Sequence, residues 1–405
     1  MTVSDPQWLL GFAAAGERFA QFVRNALGAA QEKGRERMRA TTRRLLTVAL
    51  LAACADEGRT RPVGTGGAGS GGAGGSSAEP PAGRLFVASQ QDGTVQVLDA
   101  RTLDELHTIT LAEPGGSGSI GFGAHFVTPN ADCSKLYVVG NASDRANEEE
   151  LVEVETAGYG ISRRIKMGAA TVMGEIVAAR GKVYATFAFA EEVRVFDPGS
   201  GAVKVIPGVT TQSSPHGMGK TPDDRYVVAS GGVSDGYVYR IDTATDTISA
   251  SCQVRGIPSE VWITSDGARA LLSETVDGRA EILSFEGCKT TAIPLDHSMP
   301  NPLQVQLGAD DRRAFVAEKG RESATPADVG TFVYVIDLAG ARVVDKVATP
   351  LRGVYALELA PGEGWLFATG FFSHQVAAVE LRAGGATRVH ATGRNPAGVA
   401  FCPAP

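Results

Sequence analysis

The stretch SPHGMGKTPDD (Ser214 to Asp224) sets His216 two residues before Met218, between a proline and an acidic turn. An imidazole and a thioether held this way are metal- or haem-ligating groups. Four other residues belong to the same discussion: His125, Glu175, Glu260 and Tyr355. Histidine beside a carboxylate can hold a metal ion or move protons. Against a metal centre, the chain has no H-x-x-x-H, no H-x-H and no paired carboxylates. It also lacks a G-x-S-x-G elbow, and its GGSGSIGFG run does not lie between a strand and a helix, so it is a poor phosphate cradle. The residue types therefore predict ligand-binding candidates, with no catalytic residue, no metal and no cofactor assigned.

The elements that position these residues are repeats. From Arg84 onward, short β-rich runs alternate with turn signals. One run ends in an acid at most of its copies: VQVLD, LVEVE, VRVFD, VYRID, EILSFE, VYVID and AAVEL, with endpoints 42 to 56 residues apart. A second leads into a tight turn: HFVTPNAD, EIVAARG, GMGKTPDD, VWITSDG, VQLGADD, LELAPGEG and VAFCPAP. Strand-only repeats of this period predict β-propeller blades. Each unit parses as four strands, and the acid closing the third is expected to cap its turn rather than to catalyse. The body opens on a second strand, RLFVAS, and closes on a first strand, RNPAGVAFCPAP. The fold class expected is thus all-β: a seven-bladed propeller of four-stranded antiparallel blades, its ring closed when the C-terminal strand completes the first blade. The body resembles the YVTN family of β-propellers through LYVVG, VYATF and YVVAS, over residues 84–405.

Aligning copies by their turns sets Pro215 with Pro258, Pro302 and Pro396, six residues before the turn-opening residue. On that alignment Met218 shares a slot with Glu175, Val261, Val305, Leu357 and Val399, which reads as inner-strand packing. His216 stands with Met173, Ser259, Leu303, Tyr355 and Ala397, so the ligand set contracts to one histidine near a channel mouth. Gln304 and Asn395 are expected on that face too. Connections alternate between two faces of a propeller. The longest ones, Ala112–Gly123, Ala142–Glu150 and Glu318–Gly330, all fall on the face where the inner strands begin, which is where binding groups are expected. Neutral drift in exposed loops is the competing explanation. His297 and His374 fall on this face, while His107 and His390 fall on outer strands.

The four cysteines of the body form an even set. The blade map pairs Cys133 with Cys402 on the opposite face and leaves Cys252 with Cys288; buried unpaired thiols are the alternative. Upstream, basic MRATTRR precedes the apolar LLTVALLAA and then Cys54. Nine helical residues cover only about 14 Å of a roughly 30 Å hydrocarbon core, so this is an export signal rather than a span. LAAC resembles the lipobox of bacterial lipoproteins, which implies lipidation of Cys54; an ordinary export signal with a chance cysteine is the alternative. Residues 1–37 read as an N-terminal extension upstream of a start at Met38, 38–53 as the signal, 54–83 as a Gly/Ala/Ser-rich tether and 84–405 as the propeller. The tether is expected to reach about 25 Å.

Charge excludes one class of partner. The chain has 405 residues, 38 Lys and Arg, and 45 Asp and Glu; setting aside the eight basic and four acidic residues of positions 1–53 leaves 30 against 41. An acidic body without a basic patch is no nucleic-acid surface. The reading as a whole is an exported protein of the bacterial cell envelope, held to the membrane by a lipid. It binds an unidentified protein, peptide or small molecule through its loop-rich face, or acts as a scaffold. The alternative is an enzyme on the same scaffold, resembling lactonases or cofactor-dependent oxidoreductases, with its site over the channel.

Overall fold

The computed structural model describes residues 79–404 apart from 112–121, 143–149, 169–172, 189, 211–212, 233–234, 276, 296–300, 321–328 and 383–384. The lipobox, most of the tether, His297 and most of the three long loops lie outside the described residues. The repeats form seven four-stranded antiparallel sheets with no helix among the described residues. Six blades run in simple chain order from their inner strands: Phe122–Pro129 (blade 2), Met173–Ala179 (blade 3), Pro215–Lys220 (blade 4), Pro258–Ile263 (blade 5), Pro302–Leu307 (blade 6) and Val354–Leu359 (blade 7). Blade 1 takes its inner strand, Pro396–Pro403, from the C-terminal side, paired antiparallel to Gly83–Ser89. That pairing closes the ring.

Alternation along each strand buries apolar side chains between neighbouring blades rather than within one. Val228 and Val238 of blade 4 pack with Val261, Leu272 and Leu283 of blade 5, and equivalent clusters join blades 5 to 6 and 6 to 7. Second and third strands are buried along most of their length, and outer strands such as Glu105–Thr110 are mostly exposed. The acids closing the third strands do cap turns. Asp99 accepts the Arg101 and Thr102 N–H groups at 2.8 and 3.0 Å, and Asp197, Asp242 and Asp337 accept those of Gly199, Ala244 and Ala339.

On the face away from the long loops, consecutive turns clasp one another. The residue three places after the turn opening is left-handed in blades 2, 4, 5, 6 and 7: Cys133, Asp224, Gly267, Asp311 and Glu363. Asp224 accepts the Arg180 N–H of the preceding blade at 3.1 Å, Asp311 accepts that of Ser265 at 2.9 Å, and Glu363 accepts that of Ala309. Between blades 1 and 2 the same place is held covalently, because Cys133 is bonded to Cys402. Cys252 and Cys288 form the other disulfide, on the outer strand of blade 4 and the outermost turn of blade 5.

The structure corrects the alignment of two blades. In blade 4 the turn opens where the Thr221 N–H meets the Tyr226 carbonyl; in blade 2 the matching bond runs from Asn130 to Lys135, two residues beyond Thr128. Blade 3 closes on Ala179 paired with Lys182, through Arg180 and Gly181, both at positive φ (50° and 73°). Two left-handed central residues make the tight hairpin turn that matches strand twist, and it needs fewer residues than the TPDD turns. With the turns matched by their hydrogen bonds, Glu175 leaves the Met218 slot. It aligns with Phe126, Gly217, Glu260, Gln304, Ala356 and Gly398, and His125 aligns with His216, Ser259, Leu303, Tyr355 and Ala397.

Candidate functional site

All seven inner strands carry a β-bulge near their first residues, where one extra residue breaks the register: at His125 in blade 2, within Gly174–Glu175 in blade 3, at His216 in blade 4, at Ser259 in blade 5, within Leu303–Gln304 in blade 6, within Tyr355–Ala356 in blade 7 and at Ala397 in blade 1. A bulge re-aims side chains and leaves ladder groups unpaired. Hydroxyls of the second strands take the freed N–H groups: Thr186 for Glu175, Ser273 for Glu260 and Thr369 for Ala356, at 3.0 to 3.2 Å. All five candidates lie on or beside these bulges, at the loop-face end of the channel.

An inner strand is also a sheet edge, and its outward N–H groups need acceptors. Here the preceding blade supplies them. Glu175 accepts the Met218 N–H at 2.6 Å, Gln304 accepts that of Leu357, and Gln306 accepts that of Leu359 at 2.8 Å. Thr128 and Glu358 do the same for Ala178 and Phe401. Most polar residues along the channel are thus edge caps. Burial and this role push the Glu358 carboxyl in opposite directions; burial dominates and lifts it to about 8.

Glu260 is used differently. It occupies the Glu175 and Gln304 slot in blade 5, yet its Oε1 lies 3.1 Å from His216 Nδ1, its Oε2 is buried without a hydrogen-bond partner, and its carboxyl and that of Glu175 perturb each other. Two buried carboxyls that perturb each other do not both ionise readily, so one tends to hold a proton. The pairing across an intervening blade depends on Gly217: a Cβ there would stand 2.5 Å from the Glu260 Cα and 2.9 Å from its Oε2. Gln304, from the far side of the channel, donates to the other Glu175 oxygen at 3.2 Å. Burial first, then the neighbouring Glu260 carboxyl, hold the Glu175 carboxyl well above the ordinary range. Burial lifts Glu260 to about 7, against the opposing influence of Glu175. Glu175 is therefore the member that keeps the proton. The sequence showed no paired carboxylates because the short blade 3 turn displaces Glu175 in the repeat alignment.

The two histidines stay neutral. Burial depresses His216, whose Nδ1 is hydrogen-bonded to the Ser259 carbonyl at 3.2 Å, so its contact with Glu260 is that of a neutral imidazole. Burial first, with His216 and the Lys319 charge nearby, pushes His125 down to about 3; its Nε2 lies 3.0 Å from the Tyr355 hydroxyl. The candidates form two halves: Glu175, Glu260 and His216 from blades 3 to 5, and His125 with Tyr355 from blades 2 and 7. Such a set can exchange protons with a bound group and hydrogen-bond it. Among the described residues, no three His, Cys, Asp or Glu side chains are arranged to hold a metal ion.

Other expected positions stand apart. Asn395 spans to the Phe371 carbonyl, and its N–H donates to His374 Nδ1 at 3.1 Å, so both serve the junction of blades 7 and 1. His107 stacks on Tyr159, and His390 lies 3.9 Å from Glu105, both on the outer rim. Sequence reasoning missed Lys319, which is buried against Tyr355, Phe371 and Phe372. Its signal was available. In the slot at or just past the end of each second strand, it is the one charged residue, the others being Gln90, Asn141, Ala188, Gly232, Thr275 and Phe371.

No protein-family model and no curated protein matches this sequence. Solved structures do. A chain of Kuenenia stuttgartiensis hydrazine synthase is similar at 18% identity with a TM-score of 0.59, covering 77% of this chain and 99% of that one. A protein from Lactobacillus plantarum aligns at 15% identity and a TM-score of 0.61, covering 79% and 99%. A putative 6-phosphogluconolactonase from Bacteroides fragilis aligns at 14% and 0.58, covering 80% and 98%. At these identities the likeness is one of fold.

Proposed function

We propose that this chain is a lipid-anchored, exported propeller of the YVTN kind that binds a small ligand at the loop-face mouth of its channel. The observation that carries the reading is Glu260. Its slot caps the next blade's edge elsewhere, but here the carboxyl is turned to a histidine and a second carboxyl, an arrangement that edge capping does not require. Buried polar clusters at the end of a channel are where folds of many functions place recognition. A thermal-shift and calorimetric screen of small polar compounds tests it. Hits are expected to lose binding in the Glu260→Gln/His216→Ala double variant, and hits unaffected by both changes would overturn the channel-mouth site.

The anchor has its own test. Cys54 follows the apolar LLTVALLAA run, and a Gly-rich tether separates it from the propeller. Cys54→Ser is expected to move the protein from the membrane to the soluble extract of an export-competent host, and an unchanged distribution would remove the lipid anchor.

A second reading rests on the proton of the carboxyl pair. Glu175, Glu260 and His216 form a general acid–base set, and one of the similar folds is described as a putative lactonase. Turnover of ester or lactone substrates that Glu260→Gln abolishes would favour this enzyme over a binding protein.

A further inference from the structure

Lys319 carries a charge that no described residue neutralises. It follows the second strand of blade 6, Arg313–Glu318, at the foot of the long loop, and is only 4% exposed. Its Nζ lies 4.7 Å from the Phe371 ring centroid, 5.4 Å from Tyr355 and 5.5 Å from Phe372. Among the described residues its ammonium makes no ion pair and no hydrogen bond. Aromatic faces attract a cation, but they do not replace the hydration of a buried charge as a carboxylate or ligand anion does.

The nearby acids are occupied. Glu318 accepts the Asn301 N–H at 2.9 Å. Glu175 accepts the Met218 N–H and Gln304, and Glu260 Oε1 lies 3.1 Å from His216 Nδ1, while Glu260 Oε2 is buried without a hydrogen-bond partner. Lys319 nevertheless belongs to the same mouth, since its Nζ faces the ring of Tyr355, whose hydroxyl meets His125 Nε2. Among the described residues, the mouth thus has one unpaired cation set in an aromatic wall, and the carboxyls of Glu175 and Glu260 with one buried oxygen, Glu260 Oε2, lacking a hydrogen-bond partner.

We propose that the channel mouth takes a small organic carboxylate, its anionic group pairing with Lys319 and its polar end facing Glu175, Glu260 and His216. A single cation matches a monoanion. A phosphate or sulfate would carry further negative charge toward the Glu pair. The proposal rests on channel-mouth binding and adds the charge of the ligand.

The test is calorimetric titration of the intact protein with acetate, glycolate and benzoate, each against its uncharged amide, with inorganic phosphate and sulfate as separate arms. At least one carboxylate is expected to bind roughly ten- to a hundred-fold more tightly than its amide. Lys319→Met, which keeps the contact with the rings, is expected to erase that preference without lowering Tm. Carboxylates and amides binding alike, no carboxylate binding at all, or a preference that survives Lys319→Met would overturn the proposal. Tighter binding of phosphate or sulfate would also overturn it. The wild-type comparison decides even if the variant does not fold. Amides that bind in a manner sensitive to Glu260→Gln, with no gain for carboxylates, would leave channel-mouth binding standing and remove only the anion.

Discussion

Glu260 has an ordinary carboxylate affinity for protons when unfolded, near 4.5, and one near 7 in the fold. Between those values the folded carboxyl keeps a proton that the unfolded one has lost. Unfolding therefore releases a proton, and stability falls as pH rises through this window. Glu274 and Glu358, both lifted to about 8 by burial, act in the same direction. His125 acts on the opposite limb. Its depressed affinity means that unfolding takes up a proton below about 6.5, so acidification destabilises. Glu260→Gln is expected to remove on the order of 2 kcal/mol of the stability lost between pH 5 and 8. Urea denaturation at both pH values measures this. An equal loss in wild type and variant would mean that Glu260 ionises as it does in the unfolded chain. His125, His216, Glu260 and Tyr355 could be chosen from the sequence because the repeat sets them where inner strands begin, at the channel end of the loop-rich face. The pairing of Glu175 with Glu260 could not, since two residues missing from one turn were enough to misplace Glu175.

The bulge is the element that turns a repeat into a site. In blades 3, 5 and 7 it leaves a donor that a second-strand hydroxyl takes. Gly217 is the one member of its ring slot that stands between the paired carboxyls. A methyl group there would meet backbone, the Ser259 carbonyl oxygen and the Glu260 Cα, both at 2.5 Å. Unlike the tip of a flexible side chain, these atoms can move only with the whole strand. Gly217→Ala is expected to cost about 1–3 kcal/mol by overpacking and to separate the two carboxyls. The check is denaturation combined with pH. The variant should be less stable than wild type at pH 5 and lose less between pH 5 and 8. The strands, their order and their turns were readable from alternation and turn chemistry. The bulges were not, because an extra residue in a strand leaves no signature beyond a length that varies anyway with the turns.

At the scale of the ring, closure was the most legible feature, since a body that starts on a second strand and finishes on a first has one economical solution. The described structure adds how that seam is held. Elsewhere neighbouring turns clasp through Asp224, Asp311 and Glu363; at the junction of blades 1 and 2 the clasp is the Cys133–Cys402 disulfide, which spans 269 residues of sequence. Cross-links over long loops stabilise mainly by restricting the unfolded chain, so Cys133→Ala/Cys402→Ala is expected to cost about 2–5 kcal/mol. Hydrogen exchange should show the loss of protection first in Pro396–Pro403 and Gly83–Ser89. Uniform loss over all seven blades would mean that the seam is no weaker than the rest of the ring.

The partner strands of blade 1 are also far apart in time. About 300 residues lie between Ser89 and Pro396. At roughly 5–20 residues per second, a ribosome needs on the order of 15–60 s to make them. Throughout that interval one long edge of the first blade is without its mate, and open edges are what proteases and other chains engage. Six blades can stack before the seventh joint exists, but only a chain that has reached Pro403 can hide that edge. Finished and interrupted chains thus differ in a surface that a quality-control protease can read.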